Sequence, residues 1–540
     1  MGLRKKCVEP TINVKLGSLL TRNSHNFLHL AVREGCKIKV KKGLDNCIKS
    51  SSQTGILNNP FKPINFASNS WNFLNAVKSR VTCELTPVDE KEAKSFTKFV
   101  RSNMKFFFGG MRNVKSISFD EYLKNSNATP SVKVALQKTH DELVSRGIDE
   151  NFNLSSIEAK QWCVRKTFLK CENLLYNSPY EMFMKAPRVI NGGQEEFVDI
   201  CGPWFASFQK RLKKVWNVNN FITYSSGLSA EKVGKWGFKH RLFGKWIEND
   251  VSKWDSSMRK YLLQIEREIY IYCGAPLLVR KLLRFNIPTV SKSRYGITYK
   301  TPDGRKSGDP YTSCGNSILN ALLHCYMCCK AMGCSVWQLP RLVKMMIQGD
   351  DNALVCKERI DFAKIMKKLG FKAETKHRET LYDVCFCSAR FVPVEGSAVL
   401  LPLPARVFNK FGTFATNKTM KYEELCAVSA KGLYNTFSFI PLFKQMFDAC
   451  IKSCPKISKT GELIQARMAE WQIYCSRPIK PSPETWVWLY KYNLGFPQSL
   501  YSTVALERFT ELGTDARTLF YKSIDPVIDI ISDSRGMVLT

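Results

Sequence analysis

Two adjacent aspartates sit inside an otherwise apolar stretch, Arg341 to Cys356 (RLVKMMIQGDDNALVC), and no other segment limits the fold as tightly. Leu342, Val343, Met345, Met346 and Ile347 lead into Gln348-Gly349-Asp350-Asp351-Asn352, and Ala353, Leu354, Val355 and Cys356 lead away from it. Two short apolar runs round a Gly-Asp turn predict a β-hairpin with both carboxylates at its tip. Carboxylates held side by side between buried strands repel each other unless a cation neutralises them. Asp and Asn also favour turns for purely local reasons, so the segment alone fits an ordinary polar turn as well as a metal-binding tip.

A second acidic element lies upstream. In Lys245-Trp246-Ile247-Glu248-Asn249-Asp250-Val251-Ser252-Lys253-Trp254-Asp255 a strand-like run ends at Asp250, and another Asp follows five residues later. Hard cations such as Mg2+ take carboxylate oxygens converging from separate elements. Asp250 beside Asp350 could bridge two ions about 3.5–4 Å apart, one activating a hydroxyl and the other stabilising a leaving pyrophosphate. Without the hairpin, Asp250 reads as a solvated acid at a strand end.

The third element is Gly304-Arg305-Lys306-Ser307-Gly308-Asp309-Pro310-Tyr311-Thr312-Ser313-Cys314-Gly315-Asn316. A Ser-Gly loop precedes Asp309, expected as a helix N-cap, and Pro310, expected at the first helical position. Thr312, Asn316 and Asn320 then fall at i, i+4 and i+8 and share one stripe. Buried amides need partners. A satisfied structural network and the hydroxyls of a nucleotide sugar are both open readings of that stripe.

Composition narrows the choice of partner. Lys and Arg total 81 against 47 Asp and Glu, a formal net charge of +34. A polyanion is the expected ligand, nucleic acid first and an anionic membrane surface second. Between 160 and 245, Arg165-Lys166, Lys170, Lys185, Arg188 and Lys210-Arg211-x-Lys213-Lys214 alternate with Trp162, Phe168, Tyr176, Trp204 and Trp216. Cations mixed with aromatics suit a nucleic-acid channel, and Lys210 to Lys214 equally suits a solvated helix face.

The twenty cysteines are scattered, and the pair Cys325 and Cys328 has no matching second pair, which favours reduced thiols over a disulfide framework or zinc site. The apolar stretch Ser317 to Trp337 is interrupted by His324 and Lys330 and reads as a buried helix, so no transmembrane segment is expected. The polar run Lys49 to Gly55 reads as a mobile loop, 85 to 150 as helical, and the part after 395 as a separate, mostly helical subdomain.

In this order and spacing the three elements resemble the palm motifs of RNA-dependent RNA polymerases from positive-strand RNA viruses. Asp250 to Asp255 resembles the family's D-x4-5-D, Ser307, Gly308, Thr312 and Asn316 its S-G-x3-T-x3-N, and Gly349, Asp350 and Asp351 its G-D-D. The Ser307-to-Asn316 segment and Phe386-Cys387-Ser388 look like those of the tombusvirus-like replicases, and Gln348 stands where many relatives outside that group have Tyr. Lys170-Cys171-Glu172 and Lys185-Ala186-Pro187-Arg188 resemble the family's basic fingers motif.

The resemblance implies an α+β right hand of fingers, palm and thumb, with an antiparallel palm sheet packed on helices. Its implied divisions are 1–85 for an N-terminal extension and fingertips, 86–240 for fingers, 241–270 for palm, 271–303 for a fingers insertion, 304–394 for palm and 395–540 for thumb. Asp250 and Asp350 are then the principal ligands of two Mg2+ ions, with Mn2+ able to substitute, and Asp351 is an auxiliary ligand. Asp255 would bond Asn316 and the ribose 2′-hydroxyl, favouring NTPs, whereas a reverse transcriptase usually blocks that hydroxyl with a bulky residue. Lys170, Lys185 and Arg188 would contact the triphosphate, and either Lys372 or Lys376, with Lys372 preferred, would protonate pyrophosphate. The implied partners are RNA template and product, NTPs and a separate membrane-anchored viral replication protein. The implied location is the host-cell cytoplasm at membrane-associated replication sites. A basic RNA-binding or packaging protein with degenerate motifs is the rival from another class, expected to bind RNA without Mg2+ and without synthesis.

Overall fold

The computed structural model describes residues 30–41, 52–53, 66, 68–170, 172, 186–412, 414–415, 421–462 and 475–491. The chain is α+β, and its centre is a five-stranded sheet in the order Lys372–Arg378, Lys245–Ser252, Asp351–Cys356, Val343–Gln348, Ile222–Tyr224. The first three pairings are antiparallel. The fourth, Ile222–Tyr224 on Val343–Gln348, is parallel, so the sheet is not antiparallel throughout as the resemblance implied. Residues 225–342 separate these two strands in the chain, which leaves ample length for the crossover that a parallel pair requires.

The apolar runs on either side of Asp350 are continuous because the hairpin is covered on both faces. Met345, Ile347, Leu354 and Cys356 pack into the main core with the helix Thr312–Met332. Met346, Ala353 and Val355 point the other way, joining Trp246, Val233, Trp236, Phe386 and Phe391. The helix Thr312–Met332 is buried from Cys314 through Cys328 and ends at Gly333, whose φ of +61° suits the left-handed cap position. No helix among the described residues is long and apolar enough to cross a membrane. The seventeen described cysteines are free.

A second five-stranded sheet runs Lys37–Val40, Ile297–Thr301, Thr289–Ser293, Val164–Leu169, Val189–Gly192 and gathers strands from distant parts of the chain. It meets the Ser307 loop through a bridge between Gly192 and Gly308.

Trp162, Trp204 and Trp216 do not face a channel; they lie in the main core, where Trp204 and Trp216 donate to the main-chain oxygens of Val114 (3.2 Å) and Phe107 (3.3 Å). Apolar burial outcompetes base stacking for these rings, Phe168 stays half-exposed, and Tyr176 lies outside the described residues. Within the polar run 49–55, Ser52 and Gln53 form a short strand against Phe414–Ala415, and the rest lies outside the described residues. The helices Tyr422–Phe437 and Pro441–Ser453 share a core with residues from before 395, Val392 and Ala230, so they pack directly on the rest of the chain. The hairpin Ala389–Val394/Ser397–Pro402 mounts them on the helix Ala230–His240. There a Cβ on Gly234 would stand 2.1 Å from the Ala398 oxygen, so glycine permits the contact.

Candidate active site

The register Asp351↔Gln348 leaves Gly349 and Asp350 as a two-residue turn, and Gly349 takes the φ of +63° that such a tight turn requires. The long helix beneath secures this tip. Ser317 Oγ accepts from Gly349 N at 2.8 Å, and Asn320 Nδ2 reaches the carbonyl oxygens of Gly349 (3.0 Å) and Asp350 (2.9 Å). Asp250 is brought alongside by the neighbouring strand. Asn352 and Asn249 lock the two strands together, and His324 completes the contact, its Nε2 lying 3.2 Å from Asn249 Nδ2 and its Nδ1 2.8 Å from the Asn320 oxygen. Burial lowers the His324 pKa to about 4, so the ring is neutral, with one nitrogen donating and the other accepting.

The carboxylates affect one another. Asp350 and Asp351 keep contact with solvent while protein closes round them on the other sides. That enclosure first, then repulsion from Asp255 and Asp250, raises the Asp350 pKa. Enclosure first, then repulsion from Asp350 and Asp250, pushes Asp351 up to about 7, against hydrogen bonds from Cys387. Glu374 stands opposite Asp250 in the adjoining strand and pairs with Lys376 at 3.0 Å. Crowded oxygen donors on three separate strands suit a hard divalent cation chemically. Among the described residues, no three of these side chains already converge on a single point.

Beside the hairpin, Asp255 forms a second cluster. Ser307 Oγ donates to its Oδ2 at 2.7 Å and Asn316 Nδ2 to its Oδ1 at 3.0 Å. Gly308 approaches the opposite wall so closely that a Cβ there would lie 2.5 Å from the Asn191 oxygen. Asp309 does not cap the helix, which begins at Thr312 after Tyr311. Its carboxylate instead turns inward to Arg165 (3.0 Å) and Asn286 (2.6 Å), because a buried guanidinium is a stronger partner than a helix end. The Thr312 hydroxyl donates to the loop at the Lys306 oxygen, 2.8 Å away. The stripe of Thr312, Asn316 and Asn320 therefore serves three different partners.

Asp350 and the Asp255 cluster share a cleft of about 610 Å³ whose walls also include Thr312, Lys170 and Arg188, whereas Asp250 and Asp351 do not line it. Arg188 and Lys170 flank Glu172, Lys170 at 3.2 Å, and Arg188 also feels the charges of Asp350 and Asp255. Lys185 lies outside the described residues. Lys372, the first residue of its strand, is exposed and opposite Ser252; neither it nor Lys376 lines the cleft. Sequence reasoning missed Arg80 and Arg305, which line the cleft, and Asn249, His324 and Asn352, which brace the strands beneath the carboxylates. Only Asn352, next to the aspartate pair, carried a local signal.

Residues 95–430 match the family model described as RNA dependent RNA polymerase. The chain is similar to the RNA-directed RNA polymerase of Tobacco necrosis virus (strain A), 27% identical over 357 residues, covering 62% of this chain and 46% of that protein. It is 31% identical over 186 residues to the RNA-directed RNA polymerase of Cymbidium ringspot virus, covering 32% and 21%. It is 26% identical over 242 residues to the RNA-directed RNA polymerase 2a of Cowpea chlorotic mottle virus, covering 44% and 27%. The matched part thus spans less than half the length of each of these relatives. With the aspartate hairpin, the Asp250 strand and the Ser307–Asn316 element all inside the matched span, this chain belongs to the RNA-dependent RNA polymerase family.

Proposed function

We propose that the chain carries out RNA-templated RNA synthesis, replicating and transcribing a positive-strand viral genome. The 3′-hydroxyl oxygen of the growing strand bonds to the α-phosphorus of an NTP, the α–β phosphoanhydride bond breaks, and pyrophosphate leaves. The observation that supports this reading is the cleft that Asp350 shares with the Asp255–Ser307–Asn316 cluster, with Asp250 and Asp351 near enough to Asp350 to repel it.

Asp250 and Asp350 would hold two Mg2+ ions, replaceable by Mn2+, with Asp351 auxiliary. Bound by these carboxylates, such ions would supply charge neutralisation for the attacking hydroxyl and the departing pyrophosphate. Asp255 keeps lone pairs beyond those used by Ser307 and Asn316, so it can accept a ribose 2′-hydroxyl. Lys170 and Arg188, with Lys185, attract the triphosphate along the cationic wall. Lys372 is assigned to protonating pyrophosphate, a role that requires the exposed side chain to reach into the cleft.

In this reading four strands of the central sheet belong to the palm of a right hand, 241–270 and 304–394, and the edge strand Ile222–Tyr224 is lent by the fingers segment. Fingers occupy 86–240 with an insertion at 271–303, the N-terminal extension and fingertips 1–85, and the thumb 395–540. The partners are RNA template and product, NTPs and a separate membrane-anchored replication protein, at membrane-associated sites in the host-cell cytoplasm. The net charge of +34 supports an RNA partner.

Purified protein given an unprimed RNA template, Mg2+ and labelled NTPs is expected to yield labelled RNA on a gel, and Asp350→Ala is expected to yield none while keeping its thermal midpoint. Mg2+-independent RNA binding without product, or synthesis by the Asp350→Ala protein, overturns the proposal.

A further inference from the structure

The Asn316 amide is gripped from both sides. Arg305 Nε donates to its oxygen at 2.7 Å, and its nitrogen donates to Asp255 Oδ1 at 3.0 Å. A guanidinium offers only donors and an ionised carboxylate only acceptors, so these neighbours leave the amide a single orientation. Turned over, it would face donor to donor and acceptor to acceptor.

Arg305 is itself immobilised. Its Nη1 lies 2.9 Å from both oxygens of Glu266, and the two side chains are only 1% and 3% exposed. Tyr270 donates to Glu266 at 2.6 Å, and the Arg305 main-chain N donates to the Asp255 oxygen at 2.7 Å. The ion pair lies directly against the long helix because residue 315 is glycine: a Cβ there would stand 2.0 Å from Glu266 Oε1. Glu266 and Gly315 thus act on the residue that faces Asp255 without touching the cleft's contents themselves.

We propose that Arg305, held by Glu266, is a positioning residue for ribose selection. It presents the Asn316 N–H to Asp255, which fixes the direction in which Asp255 accepts a 2′-hydroxyl. The inference rests on the proposed reading that Asp255 meets the ribose.

The test is the ratio of kcat/KM for an NTP over its matching dNTP, measured with the full chain on an RNA template with Mg2+. A ratio is unaffected by the fraction of protein that is active. Arg305→Lys retains a cation for Glu266 but loses the Nε donor, and it is expected to lower the ratio roughly tenfold. The double variant Arg305→Lys/Asn316→Ala is expected to fall no further than Asn316→Ala alone, because the arginine acts through that amide. Should Arg305→Lys not accumulate as folded protein, Glu266→Gln carries the same expectation. An unchanged ratio in these variants, or additive losses in the double variant, overturns the inference while Asn316→Ala and Asp255→Ala still lower the ratio. If Asp255→Ala and Asn316→Ala leave the ratio unchanged, the reading beneath it fails instead.

Discussion

Asn352 and Asn249 bind each other reciprocally across two strands: the Asn249 main-chain N donates to Asn352 Oδ1 at 2.9 Å, and Asn352 Nδ2 donates to the Asn249 oxygen at 2.7 Å. The pair replaces ladder bonds where the strands part and sets Asp250 against Asp350 and Asp351. Asn352→Leu strands a buried N–H and a buried carbonyl. We expect it to cost about 1–3 kcal/mol of stability, read by urea denaturation, and to lower nucleotide incorporation at fixed Mg2+ more than Asn249→Asp does. Equal activity to the parent protein would remove the pair's role in spacing the carboxylates.

His324 makes stability pH-dependent. Its folded pKa of about 4 lies below the unfolded value, so between the two the unfolded chain binds more protons and stability falls as the pH falls. At pH 5 this amounts to about 2 kcal/mol relative to pH 8, taking about 6.5 for the unfolded ring. His324→Gln should flatten that part of the profile. Denaturation midpoints of parent and variant at pH 8 and pH 5 check it, and parallel declines would refute it.

Gly308→Ala forces a Cβ against the Asn191 main chain and pushes the Ser307 loop away from the neighbouring sheet. Because Ser307 holds Asp255, kcat/KM for NTPs should drop by roughly tenfold or more, while the thermal midpoint shifts by only a few degrees. Steady-state kinetics with a calorimetric scan will separate the two effects.

Asp309→Asn leaves the fully buried Arg165 guanidinium without its counter-charge. Breaking a buried pair on one side costs about 3–5 kcal/mol, so the variant should unfold at markedly lower urea concentration. A change below 1 kcal/mol would mean that Arg165 finds another partner.

Much of this architecture was legible because strong local patterns agreed with the global fold. The hairpin appeared as two apolar runs round Gly349, and the buried helix as a mostly apolar stretch beyond Asn316, broken only at Asn320, His324 and Lys330 among its strongly polar residues. The polar stripe at Thr312, Asn316 and Asn320 was visible, but its partners were not, since they come from loops and strands set only by tertiary packing. The tryptophans misled because an aromatic beside lysines looks the same whether it faces RNA or core. Asp309 misled because local capping preference says nothing about an arginine 144 positions earlier, brought to it only by the fold. Arg305 was likewise invisible, since nothing in its neighbourhood indicated Glu266.

The charges sealed beneath the Ser307 loop also restrict how this sequence can diverge. Arg165 with Asp309, and Arg305 with Glu266, are each shut off from water, so replacing one member strands the other. Neutral drift one residue at a time is closed to these positions; they can change only as pairs, and Gly315 can enlarge only if the second pair has already gone. Among diverged copies of this gene, the loop's foundations should covary.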